Sequence, residues 1–227
     1  MRARVSGMAV LWGVLTAGVP GTPREPASPP RVERLHVTEG RLSSLPGGAL
    51  RIDEPRVRAV VAPPGASRRS VRAPAPPGGP RVVELRFTYR GPTPQQRPLL
   101  SGESRRQVGL KLRARDGCNV VYVMWRLEPK PGLVVSVKSN PEQHRSVDCG
   151  NGGYETVKPA VSQPVPPLQP GDRHTLGARL EGARLTVRAD GESVWEGELP
   201  AEALAFDGPA GLRADNGRFD VELRATP

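Results

Sequence analysis

GDRHTLGARLEGARLTVRADGESVWEGELP, from Gly171 to Pro200, and GLRADNGRFDVELRA, from Gly211 to Ala225, decide the fold. His174, Leu176, Ala178 and Leu180 alternate with polar residues, as do Leu185, Val187 and Ala189, and then Phe219, Val221 and Leu223. Period-two alternation marks half-buried antiparallel strands. Glu181-Gly182 and Asp190-Gly191 supply the positive-φ residues that tight hairpins need. The segment therefore reads as a series of short strands joined by glycine turns.

Working outward, the middle of the chain repeats the pattern. Val83, Leu85, Phe87 and Tyr89 share one face of Arg81–Arg90. Val108, Leu110, Leu112 and Ala114 are expected to face inward from Val108–Arg115, with Lys111, Arg113 and Arg115 outward. In Asn119–Leu127 the inward set is Val121, Val123, Trp125 and Leu127, opposite Val120, Tyr122, Met124 and Arg126. In Leu133–Ser139 it is Leu133, Val135 and Val137, opposite Val134, Ser136 and Lys138. One apolar face per strand is what a two-sheet antiparallel β-sandwich requires. The 27 prolines and 26 glycines of this 227-residue chain exclude long helices, leaving one helical turn at Ala201–Ala205.

Three features of the C-terminal stretch resemble the concanavalin A-like lectin/glucanase jelly rolls, which include laminin-G-like modules. They are Asp172-x-His-Thr-Leu176 at a strand start, Val187-x-Ala-Asp-Gly191 followed by Trp195, and Gly211-Leu-Arg-Ala-Asp-Asn-Gly-x-Phe-Asp220. The resemblance is carried mainly by residues 171–225. It implies an all-β jelly roll from a superfamily of lectins, glycosidases and adhesion modules, so function must be argued from a site. Laminin-G-like modules often bind calcium at a rim. Asp190, Asp215, Asn216 and Asp220 are the matching oxygen donors, and Asp190 and Asn216, each before a glycine, serve turns equally well.

The N-terminus reads as a processing signal. Arg2 and Arg4 precede an apolar Met8–Val19, and small residues follow, so residues 1–21 are expected to be a signal peptide. That run is too short for a spanning helix of about 20 residues. Residues 22–30, with four prolines, form a linker, and 31–227 form one sandwich domain. A second Pro/Gly-rich stretch, 63–80, reads as a surface loop. A secreted or periplasmic location makes Cys118 and Cys149 a disulfide pair.

The net charge is +10, carried mostly by Arg. A GC-rich genome produces that bias without selection for binding. No nucleic-acid motif accompanies it, and an exported protein meets acidic polysaccharide instead. Glycosidases of this superfamily carry Glu-x-Asp-x-Glu on one strand, and the chain has none. Glu192, Glu196 and Glu198 suit a solvated strand. No nucleophile elbow or metal set stands out, and His36, His144 and His174 are scattered. The candidate ligand surface is the polar face of the central strands: Arg86, Lys111, Arg113, Tyr122, Arg126, Ser136 and Lys138, coplanar if their strands are neighbours. Tyr122 would be a stacking platform. The chain is read as a non-catalytic glycan-binding module, with acidic polysaccharide among its ligands. A structural or adhesion module binding an envelope protein, and a hydrolase with an unrecognised site, are the alternatives.

Overall fold

A computed structural model describes residues 31–32, 34–62 and 81–226. The expected signal peptide and linker, and the loop 63–80, lie outside the described residues. Among these residues sixteen strands stack as two antiparallel sheets. The first five are β1 (Arg31–Val32), β2 (Leu35–Glu39), β3 (Ser43–Ser44), β4 (Leu50–Ile52) and β5 (Arg56–Val61). The central ones are β6 (Val82–Pro92), β7 (Arg106–Leu112), β8 (Val120–Glu128) and β9 (Gly132–Lys138). After a helical turn, α1 (Ser146–Cys149), come β10 (Tyr154–Thr156), β11 (Val161–Ser162), β12 (Arg173–Glu181), β13 (Arg184–Ala189) and β14 (Glu192–Glu198). The expected turn α2 (Ala201–Leu204) leads into β15 (Gly211–Asp215) and β16 (Gly217–Thr226).

One sheet runs β11-β14-β13-β12-β6-β16-β4-β3, with β1 added on β16; the other runs β10-β9-β8-β7-β15-β5-β2. The inward alternation holds almost throughout. Leu85, Phe87, Val108, Leu110, Val121, Val123, Trp125, Val135, Leu176, Val187, Phe219 and Val221 meet in one core between the sheets. At its centre Phe87 packs edge-on against Trp125, ring centroids 5.6 Å apart, and against Phe219 at 6.0 Å.

Local turn chemistry works as expected in one hairpin and differently at the crossover. Asp190 (φ 51°) and Gly191 (φ 90°) form the two-residue turn between β13 and β14. Asn216-Gly217 is not a hairpin, because β15 pairs with β5 and β7 while β16 pairs with β6, β4 and β1. Asn216 (φ 56°) carries the chain from one sheet to the other. Its side chain accepts from the Arg97 N–H at 2.7 Å and donates to the Arg105 carbonyl at 2.9 Å.

Two expectations fail at the end of β7. The strand stops at Leu112, and Arg113 takes φ 50°, which breaks the alternation. Ala114, expected in the core, packs instead with Val120, Tyr122 and Met124 on the other side of the sheet. That second apolar cluster also means that the polar side of β8 is buried, not solvated.

Cys118 and Cys149 are bonded, with Cα atoms 6.0 Å apart and a sequence separation of 31. The bond ties the start of β8 to α1. Among the described residues no helix is long and apolar enough to cross a membrane.

Candidate ligand face on the seven-stranded sheet

Strand register brings the candidate residues together. Across the outer face Lys111 stands opposite Tyr122, Tyr122 opposite Ser136, and Lys138 opposite Tyr154. On the other side of β7, Gly109 faces Arg213 and Gln107 faces Asp215, and Arg213 in turn faces Arg58. Each is outward because its neighbours Leu110, Val121, Val123, Leu212, Ala214 and Val57 are core residues.

These outward side chains are nonetheless packed. Tyr122, Lys111, Lys138, Arg213 and Asp215 are all buried. The Arg213 guanidinium lies 4.8 Å from the centroid of the Tyr122 ring, and its Nε donates to Asp215 Oδ2 at 2.7 Å. Gln107 Nε2 donates to the same oxygen at 2.7 Å, and Arg58 reaches Asp215 Oδ1 at 3.2 Å. Burial would raise the Asp215 carboxyl, but the charges of Arg213 and Arg58, with the Gln107 hydrogen bond, hold it below the usual carboxylate range. Burial would likewise lower the Arg213 pKa; Asp215 reverses this, and Arg213 stays charged.

Tyr122 is therefore a covered ring and not a free platform. Burial pushes its hydroxyl up to about 12. The exposed aromatic is Tyr154, 41% accessible, stacked on Tyr122 with ring centroids 6.1 Å apart and planes 21° from parallel. Lys138 Nζ sits 5.1 Å from the Tyr154 centroid and donates to the carbonyls of Gly150 (2.8 Å) and Gly117 (3.3 Å). Those glycines adjoin Cys149 and Cys118, so the disulfide holds the carbonyls that fix Lys138. Burial lowers the Lys138 pKa.

The two solvent-side faces differ in charge balance. On the nine-stranded sheet Arg86 pairs with Glu84 at 2.7 Å, Arg51 and Arg90 share Asp220, and Arg184 pairs with Glu196 at 2.7 Å. On the seven-stranded sheet Arg56, Arg58, Lys111, Arg126, Lys138 and Arg213 are cationic, and the carboxylates that bond to them are Glu39 and Asp215. Buried polar atoms there, among them Arg56 Nε, Gln107 Oε1 and Arg126 Nε, have no hydrogen-bond partner among the described residues. Burial lowers the Arg126 pKa. Unpaired buried groups are rare in folded proteins and call for an explanation.

Neither the known family models nor any curated protein sequence matches the chain. Solved structures do. The carbohydrate-binding module CBM66 from Bacillus subtilis superposes with a TM-score of 0.54 at 11% identity, covering 86% of this chain and 97% of that one. A tetrameric galectin from the ball sponge Cinachyrella sp. gives 0.45 at 14%, covering 68% and 97%. LamAcat from Zobellia galactanivorans gives 0.45 at 12%, covering 80% and 78%. At these identities the likeness is one of fold. The fold is a two-sheet antiparallel jelly roll.

Within this jelly roll five of the seven sequence-expected residues share the face: Lys111, Tyr122, Arg126, Ser136 and Lys138. Arg86 does not, because β6 belongs to the other sheet. Arg113 does not either. Its guanidinium is turned to the α2 segment, donating to the carbonyls of Ala203 (3.0 Å) and Phe206 (2.9 Å from Nε). It borders a cavity of about 20 Å³, room for one water and not for a sugar.

Arg58, Gln107 and Arg213 were missed as site residues, and Asp215 was read only as a calcium donor. Alternation did carry a signal: Leu212 and Ala214 face the core, so Arg213 and Asp215 must face outward. The four oxygen donors considered for calcium are each engaged by different protein groups. Asp215 binds Arg213, Asp220 binds Arg51 and Arg90, Asp190 accepts from His174 and the Thr175 N–H, and Asn216 holds the crossover. Among the described residues no group of three or more His, Cys, Asp or Glu is placed to hold a metal ion.

Proposed function

We propose that this protein is an exported, non-catalytic glycan-binding module whose ligand lies on the outer face of the seven-stranded sheet, against Tyr154. The observation that carries the reading is the Tyr154–Tyr122–Arg213–Asp215 arrangement. An exposed aromatic edge is backed by a second ring, a guanidinium and a carboxylate, each fixed by the next. Sugar recognition needs such a combination, a flat apolar surface for the ring C–H face and held polar groups for its hydroxyls. The fold shared with a carbohydrate-binding module supports the reading by analogy alone. The disulfide supports export, since such bonds persist in oxidising compartments.

A glycan array on the full-length protein tests the binding. The wild type should retain at least one glycan, and Tyr154→Ala should weaken it roughly tenfold or more with an unchanged unfolding curve. A wild type that retains no glycan, or a Tyr154→Ala variant that binds as the wild type does, removes this reading.

A further inference from the structure

Lys111 is the least explained group on the ligand face. The residue is 95% buried, but its ammonium is not among the fully enclosed polar atoms, and it donates no hydrogen bond to any described residue. Lys138, equally buried, has two carbonyls. Across β15 Lys111 faces Gly211, which has no side chain to offer an acceptor, and across β8 it faces Tyr122. The strongest charges upon it are Arg58 and Arg213, of its own sign; Glu39 and Asp116 act more weakly. Asp215 is taken by Arg213, Arg58 and Gln107. A cation held in a mostly buried residue beside like charges, with no protein acceptor, is destabilising, and groups so perturbed cluster at functional sites.

Resting on the glycan reading of this face, we propose that the ligand carries an anionic substituent, a carboxylate or a sulfate, seated on the Lys111 ammonium. Both substituents offer several acceptor oxygens to an N⁺–H donor, and such charge-assisted bonds are about twice as strong as neutral ones. Arg58 and Arg213, held by Asp215, would flank the anion and hold it over the lysine. The sugar ring would reach Tyr154 across Ser136 and Lys138.

The test uses short oligosaccharides at 0.15 M salt, which screens charges beyond about 8 Å. Two matched pairs are titrated: oligogalacturonate with its carboxyl-reduced form, and a sulfated oligosaccharide with its desulfated form. In at least one pair the acidic member should bind the wild type roughly tenfold or more tightly than the neutral one. Lys111→Met should bring that ratio close to one, while Arg86→Ala, on the opposite sheet, should leave it unchanged. Should Lys111→Met fail to fold, the wild type still decides. It has four lysines, of which Lys130 and Lys158 are exposed, so lysine side-chain NMR can follow Lys111 directly. Acidic ligand should move its titration upward, because a bound anion favours the charged form.

Wild-type binding of acidic and neutral members alike, abolished by Tyr154→Ala, overturns the anion site and leaves the glycan reading intact. So does a Lys111 titration unmoved by bound acidic ligand. Binding of no glycan at all removes the glycan reading and this inference with it.

Discussion

Lys111→Met should make the protein more stable at neutral pH, and the size of the gain follows from the burial of the amine. Burial, with Arg58 and Arg213 nearby, brings the Lys111 pKa from 10.5 to about 8. At 1.36 kcal/mol per pH unit, holding the charged amine in the fold costs about 3 kcal/mol. The folded pKa lies below the unfolded one, so below pH 8 both states are protonated and the whole cost is present. Between pH 8 and 10.5 the folded protein releases its proton while the unfolded chain keeps it. The unfolded state then binds more protons, and stability rises with pH. By pH 9.5 the wild type should regain about 2 kcal/mol relative to pH 7 from this group. Measurements should stop near pH 10, because Tyr122, pushed up to about 12, acts the other way once tyrosines of the unfolded chain ionise. Urea unfolding of wild type and Lys111→Met at pH 7 and 9.5 reads both effects. The methionine variant should be the more stable at pH 7, by up to about 3 kcal/mol, and should lack the wild type's rise. A variant less stable at pH 7 that keeps the same pH dependence would refute the reasoning. A residue that costs stability and is matched by no protein acceptor is consistent with one kept for binding.

Two further outcomes are expected. Cys149→Ala should lower stability by roughly 3–4 kcal/mol, the chain-entropy value for the loop closed by the bond, in denaturant melts. It should also weaken glycan binding, because the Gly117 and Gly150 carbonyls that hold Lys138 flank the bond; unchanged binding would count against that coupling. Arg213→Leu should destabilise by roughly 3–5 kcal/mol through the buried Asp215 carboxylate left with fewer partners. Replacing Asp215 by Asn in the same chain should recover part of that loss, and no recovery would mean that the damage lies elsewhere.

The amino-acid order by itself determined which side of most strands faces the core. Leu85 and Phe87, or Val121 and Trp125, are assigned by alternation alone, since successive side chains on a strand must point to opposite faces. It also determined the Asp190-Gly191 turn, which needs two positive-φ residues in a row, and, with the expectation of export, the Cys118–Cys149 bond. Pairing is another matter. β15 lies between β5 and β7, more than a hundred residues upstream, and no local pattern encodes that neighbour choice. Only the tertiary structure could therefore put Arg86 on the far sheet and Arg213 over Tyr122. The left-handed backbone at Arg113 ended the period-two rule one residue past β7, turning Arg113 to α2 and Ala114 away from the core. Burial of the outer face was equally invisible, because Lys111, Tyr122 and Arg213 are polar enough to read as solvated. Tyr122 is covered by Arg213 and Tyr154, contacts that exist only once distant strands have been brought side by side.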